Sequence, residues 1–222
     1  MSRFGPIAML FIGLFFGSAR AEETKLQTIK GWGTVVDPDR DCRFAEDQGK
    51  LTITVPGTYH DLTHSQGRDQ LNSPRVIQVA KGDFLAQVKV HAFPLPVAGT
   101  STSNGVCFVS SGLLIWLDGD NFIRMDRAAV AELPTPAVLV EFYEKGKQTV
   151  QAFKEIEDKD INLRIARISG KLTFDASEDG QRWDEVHTSQ IPLPETVNVG
   201  VLAINTTSRE FSPQLTGWKV AK

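Results

Sequence analysis

What most restricts the folding of this chain is the rhythm of its apolar residues. They come in short blocks, mostly four to eight residues long and rich in Val, Ile, Leu, Phe and Thr, separated by Gly, Pro, Asn and Asp. KLTITV (50–55), PRVIQV (74–79), DFLAQVKVHAF (83–93), GVCFVS (105–110), GLLIWL (112–117) and NFIRMDRA (121–128) carry the first half. AVLVEFY (137–143), QTVQAFKEI (148–156), INLRIARI (161–168), KLTFDAS (171–177), WDEVHTSQI (183–191), VNVGVLAIN (197–205) and TGWKV (216–220) carry the second. Side chains on an extended chain point alternately to two faces, so such blocks read as β-strands. INLRIARI shows it plainly: Ile161, Leu163 and Ile165 alternate with Asn162 and Arg164, one face dry and one wet, with a slip at Ala166. In QTVQAFKEI the inner face is ambiguous, Val150 and Ala152 opposing Gln151, Phe153 and Glu155.

Turn-forming clusters at DGD (118–120), EKGK (144–147), SG (169–170) and EDG (178–180) predict antiparallel hairpins. No stretch sustains the i, i+3, i+4 apolar pattern of a helix. So many strands in one chain need two packed sheets, because a single twisted sheet would leave apolar surface in water. The expected fold class is all-β, a sandwich of two antiparallel sheets forming one domain over residues 22–222.

Residues 1–21, MSRFGPIAMLFIGLFFGSARA, read as a signal peptide: Arg3, an apolar run from Phe4 to Phe16, and a small-x-small cleavage site at Ala19-Arg20-Ala21. The run is shorter than the roughly 20 apolar residues that cross a bilayer, so a secreted or periplasmic chain with no membrane attachment after cleavage is expected. The sequence has 24 basic and 27 acidic residues; loss of Arg3 and Arg20 leaves 22 against 27, a net of −5. A mildly acidic surface of mixed sign lacks the footprint of a nucleic-acid binder. Cys42 and Cys107 are the only cysteines. Their pairing stays open, with separate thiols favoured because Cys107 lies in an apolar strand.

Titratable residues concentrate in YHDLTHSQGRDQL (59–71) and DPDRD (37–41). His60 and His64 would share a helix face as a zinc pair, but Pro56, Gly57, Gly67, Asn72 and Pro74 bracket the segment with helix breakers. The expectation is a connection on a rim, with His60, Asp61 and Arg68 as candidate ligand contacts and no metal. Asp37, Asp39 and Asp41 alternate as oxygen donors, which leaves calcium open, although the glycine and distal glutamate of an EF-hand loop are missing. The loop PLPVAGTSTSNG (94–105) reads as an exposed connection able to border a groove.

"GDF" at 82–84, SGLLIWLDGDNFIRM at 111–125, INLRIARISGKLTFDASEDGQRW at 161–183 and VNVGVLAIN occur in an order that resembles the concanavalin A-like lectin/glucanase superfamily. Within it, the chain is most similar to the domain-of-unknown-function family that includes regulation-of-enolase-type proteins, related to the C-terminal domain of family-43 β-xylosidases. The likeness spans Gly31 to Val220 and implies a jelly-roll sandwich whose concave face and rim loops take carbohydrate. Glucanases of the superfamily carry Glu-x-Asp-x-Glu on one strand, where alternation aims all three carboxylates into a cleft; that motif is absent.

With DGDN as the turn, Trp116, Leu114, Ile123 and Met125 are expected in the core. Ile115, Leu117, Phe122, Arg124 and Asp126 then share the other face, with Phe122 stacking on a sugar and Arg124 and Asp126 bonding its hydroxyls. The plainer reading of that charged pair is a salt bridge on a wet face. The expectation is therefore an exported, monomeric, non-catalytic lectin-like domain for carbohydrate or a cell-envelope glycan. A glycan hydrolase built from Glu141, Glu144, Asp61 and Asp126, and a cell-envelope scaffold, are the alternatives.

Overall fold

The apolar blocks become strands in a computed structural model that describes residues 27–65, 68–103 and 105–222; the signal expected at 1–21 lies outside the described residues. The strands are β1 (Thr28–Ile29), β2 (Gly33–Val36), β3 (Arg43–Asp47), β4 (Lys50–Thr54), β5 (Leu62–Ser65), β6 (Arg68–Leu71), β7 (Arg75–Lys81), β8 (Phe84–Val90) and β9 (Phe108–Trp116). They continue as β10 (Phe122–Val130), β11 (Ala137–Glu144), β12 (Lys147–Glu155), β13 (Ile161–Ile168), β14 (Lys171–Ser177), β15 (Asp184–Ser189), β16 (Thr196–Asn205) and β17 (Gln214–Ala221). There is no helix among the described residues, hence none long and apolar enough to cross a membrane.

GVCFVS and GLLIWL merge into one strand, β9. Ser111-Gly112 does not break it, because the Ser111 hydroxyl donates to the Leu202 carbonyl at 2.8 Å. Gly112 is there for closeness: a Cβ would come within 2.1 Å of the Met125 carbonyl oxygen on the neighbouring strand.

Two antiparallel sheets form a jelly-roll sandwich. One has the order β1-β2-β7-β16-β9-β10-β11-β12 and the other β15-β14-β13-β8-β17-β4-β3. Strands distant in sequence become neighbours, β16 between β7 and β9, and β17 between β8 and β4. Between the sheets, Leu113, Ile115, Ile123, Met125, Val140, Phe142 and Val199 meet Leu51, Ile53, Val88, Leu163, Ile165, Phe174 and Leu215 in one core. Each such fully buried side chain contributes roughly 1.5–3 kcal/mol. Val150 and Ala152 pack against this core, which resolves the ambiguous face of β12.

The eight-stranded sheet is dry on both sides near its middle. Leu62, Leu114, Phe122, Tyr143, Leu202 and Ile204 form a second apolar cluster on its outer face. The segment YHDLTHSQGRDQL supplies the cover as the hairpin β5–β6, whose Leu62 is wholly buried.

Register corrects the expected face assignment. Trp116 pairs with Phe122, Leu114 with Arg124 and Gly112 with Asp126, one residue away from the pairing that a DGDN turn would impose. A one-residue slip exchanges the faces of a strand. Trp116 and Leu114 therefore share the outer face with Phe122, Arg124 and Asp126, while Ile115 and Leu113 turn inward with Ile123 and Met125.

Candidate functional site

Antiparallel pairing sets Arg124 on β10 opposite Glu141 on β11. A charged residue in each of two apolar runs would cost several kcal/mol if left alone, and here they satisfy each other. Arg124 Nε donates to Glu141 Oε2 at 2.7 Å, and Nη2 donates to the same oxygen. Glu141 Oε1 accepts from Gln148 Nε2 at 2.7 Å and Gln151 Nε2 at 3.0 Å. Two glutamines three apart reach one carboxylate because the β11–β12 register shifts between Phe142 and Tyr143. This β-bulge brings both to the same side. Tyr143 adds its hydroxyl to Glu141 Oε2 at 3.4 Å and meets Thr63 Oγ1 of the hairpin at 3.1 Å.

Two more carboxylates face the same guanidinium. Asp126 Oδ2 lies 3.6 Å and Asp61 Oδ1 3.8 Å from Arg124 Nη1. Asp126 also accepts from the Ser110 hydroxyl at 3.2 Å. Asp61 accepts from Tyr59 Oη at 3.0 Å and from the Leu62 amide at 2.7 Å. Burial pushes the Asp126 carboxyl up to about 7 against the pull of Arg124, and burial likewise raises Asp61. Burial works against the charge on Arg124, but Glu141, Asp126 and Asp61 outweigh it and its pKa is raised. Tyr143 is pushed by burial to about 12 and stays a phenol. Arg124 Nη1 and Asp126 Oδ1, one donor and one acceptor, are buried without hydrogen-bond partners among the described residues.

Above this cluster opens a cavity of about 570 Å³. Arg124 and Glu141 line it with Phe108, while Tyr59, Asp61 and Thr63 come from the hairpin side. Gln148, Gln151 and Phe153 line it from β12, and Ser103, Gly105 and Val106 bring in the 94–105 connection, which thus borders a groove. Its rim is apolar: Phe153 is 70 % exposed and Val106 57 %.

Of the residues singled out in the sequence, Arg124, Asp126 and Asp61 come together. Phe122 is fully buried, stacked on Tyr143 at 4.4 Å and Trp116 at 5.6 Å, so it supports the hairpin and offers no ring face to a ligand. His60 is buried on the opposite side, with Nε2 3.0 Å from Asp41 Oδ1. His64 instead reaches the Gly119 carbonyl at 2.6 Å, so the two histidines do not form a pair. Arg68 opens β6 opposite Ser65; its side chain lies outside the described residues. Glu144 bonds Thr149 on the exposed turn. Both cysteines are free thiols. Sequence reasoning missed Tyr59, Thr63, Tyr143, Gln148, Gln151 and Phe153. The available signal was the acid at the centre of AVLVEFY, which needed a buried partner.

The sequence model of a family described as "Protein of unknown function (DUF1349)" matches residues 40–222. No curated protein matches the chain. Among solved structures, a functionally unknown protein from Saccharomyces cerevisiae superposes with a TM-score of 0.67 at 15% identity, over 86% of this chain and 96% of that one. The GH43 BlXynB protein from Bacillus licheniformis gives 0.60 at 16% identity over 83% of this chain, which spans only 35% of BlXynB. The carbohydrate-binding module CBM66 from Bacillus subtilis gives 0.51 at 9% identity, over 88% of this chain and the whole of the module. At these identities the likeness is one of fold, the concanavalin A-like jelly roll.

Proposed function

The chain belongs to the DUF1349 family, and from that premise we propose that it is a non-catalytic, lectin-like domain that binds a neutral carbohydrate in the cavity over Arg124. The observation that carries this reading is Arg124, which lines the cavity and whose Nη1 is a buried donor without a hydrogen-bond partner among the described residues. A buried donor left open costs free energy unless a ligand or water accepts from it. A neutral sugar hydroxyl can accept from it. Phe153 supplies an exposed ring for the apolar face of a pyranose or furanose, and Gln148, Gln151 and Tyr59 supply polar edges. Three carboxylates around one guanidinium leave no positive charge to spare, which disfavours anionic ligands. The module from Bacillus subtilis, named for carbohydrate binding, shares the fold.

The amino-terminal signal extends the proposal: the protein acts as a monomer outside the cytoplasm, secreted or periplasmic, on soluble or cell-envelope glycans. One observation favours a hydrolase instead, the raised carboxyl of Asp126, since acid catalysis uses such groups. Against it, Glu141 already accepts from Arg124, Gln148, Gln151 and Tyr143, which fills the lone pairs a nucleophile needs. A glycan array with the purified protein, run beside a polysaccharide hydrolysis panel, decides. Binding of a neutral oligosaccharide without turnover is expected; hydrolysis with no binding on the array would overturn the reading.

A further inference from the structure

A second cluster of reactive side chains lies on the far side of His60, away from the cavity. The loop after β2 runs Asp37-Pro38-Asp39-Arg40-Asp41-Cys42 and folds back on itself. The Asp37 carboxylate accepts from the amides of Arg40 at 3.2 Å and Cys42 at 3.0 Å, and Asp41 and Cys42 come to meet His60. His60 Nε2 is 3.0 Å from Asp41 Oδ1, and Cys42 Sγ is 3.5 Å from that same oxygen. One ligand atom from each of the three residues lies within 4.8 Å of the others, and Asp39 Oδ2 is 3.7 Å from His60 Nε2. We propose that Asp41, Cys42 and His60 hold a divalent transition-metal ion, zinc by the chemistry of the donors, with Asp39 or water as fourth ligand.

The other ring nitrogen fits it. His60 Nδ1 lies 3.2 Å from the Thr58 carbonyl, which accepts its proton in the tautomer whose Nε2 lone pair faces the Asp41 carboxylate. In that tautomer acceptor meets acceptor at 3.0 Å, a repulsion that a proton or a metal ion between them removes. An Nδ1–H held by a carbonyl is also the usual outer partner of a metal-bound imidazole. The opposite tautomer, with Nε2–H donating to Asp41, sets the Nδ1 lone pair against that carbonyl, relieved only by the Thr58 hydroxyl at 3.3 Å.

Access and rigidity are both present. His60 is 1% exposed, which fixes its ring, while the side chains of Asp39 and Asp41 are 47% and 40% exposed, which lets an ion enter. Thiolate, imidazole and carboxylate form a borderline set that suits zinc. Calcium needs six to eight oxygens, and the alternating aspartates do not converge, since Asp37 caps its own loop. The site would also brace the cavity wall: Asn72 donates to Asp39 at 2.7 Å and to the Tyr59 carbonyl at 2.8 Å, and accepts from the Asp61 amide at 3.0 Å. The inference stands whether or not the cavity takes a sugar.

On binding, the Cys42 proton passes to solvent and the thiolate bonds the metal. One equivalent of cobalt(II) added to the purified protein should give thiolate-to-cobalt charge-transfer absorption and the visible bands of a four-coordinate ion, both bleached by zinc. Cys42→Ser should remove the charge-transfer band and weaken zinc at least about tenfold, a loss that even outer partners of a ligand cause; Cys107→Ser should change neither. Because a variant can fail by misfolding, alkylation of the unaltered protein gives a second readout: zinc should slow iodoacetamide labelling of Cys42, mapped by mass spectrometry, at least about tenfold, and EDTA should restore it. A six-coordinate aquo-cobalt spectrum, a charge-transfer band surviving in Cys42→Ser, or labelling indifferent to zinc would overturn the assignment.

Discussion

Arg124 and Arg127 stand three residues apart on β10, on opposite faces of one sheet, both buried. Arg127 is finished: Nε donates to the Lys159 carbonyl at 3.3 Å, Nη1 to the Phe93 carbonyl at 3.4 Å and Nη2 to Asp158 at 2.5 Å. Its plane covers the Phe93 ring at 4.2 Å. Arg124 spends two nitrogens on Glu141 and leaves the third without a hydrogen bond among the described residues, beside two further carboxylates. Burial lowers the pKa of Arg127, only partly opposed by Asp158, whereas surplus negative charge raises that of Arg124. One arginine closes a structural joint. The other is held ready with an open valence at a cavity.

Removing each cation should separate the two roles. Arg124→Met strands the buried Glu141 carboxylate beside Asp126 and Asp61 and should cost about 3–5 kcal/mol in urea unfolding at neutral pH. Arg127→Met releases Asp158, whose side chain is already 57% exposed, and should cost about 1–2 kcal/mol. Equal losses would break the comparison.

Next in size is pH. In the folded protein Asp126 keeps its proton up to about 7, while in the unfolded chain it loses it near the ordinary ~3.9. Its contribution is therefore fully present below about 4 and is lost as pH rises through about 7. Asp126→Asn lacks that dependence. Measured by urea unfolding at about pH 4.5 and 7.5, it should gain on the unaltered protein by up to roughly 3–4 kcal/mol; no relative gain would mean that Asp126 ionises normally.

Smaller effects sharpen the cavity side. Phe153→Ala should weaken glycan affinity about two- to tenfold, the worth of one stacked ring, with the urea midpoint unchanged. Tyr59→Phe removes the 3.0 Å bond to Asp61 and should cost about 1 kcal/mol of stability, checked in the same titration.

Strand blocks and turn residues made the sandwich readable, because period-2 alternation is local. VNVGVLAIN and INLRIARI lie where their patterns put them, in β16 and β13. Register across a turn is not local. The pairing of Trp116 with Phe122 depends on how five loop residues pack, and one residue of difference reversed the expected faces. Gln148 and Gln151 were invisible for the same reason, since only the bulge opposite Tyr143 brings both to Glu141. The segment YHDLTHSQGRDQL was legible as a connection between strands. Its division was not: adjacent side chains on an extended chain diverge, so Asp61 joins the cavity while His60 turns to Asp41 and Cys42.

Side-chain NMR of the arginines tests the central claim most directly, because the Nε–Hε groups of Arg124 and Arg127 report the open and the closed cation in one spectrum. Titration with the strongest glycan from the array should shift or broaden the Arg124 resonance in step with binding and leave Arg127 unmoved. A glycan that binds without disturbing Arg124, or that moves both resonances alike, would contradict a ligand seated on that open valence.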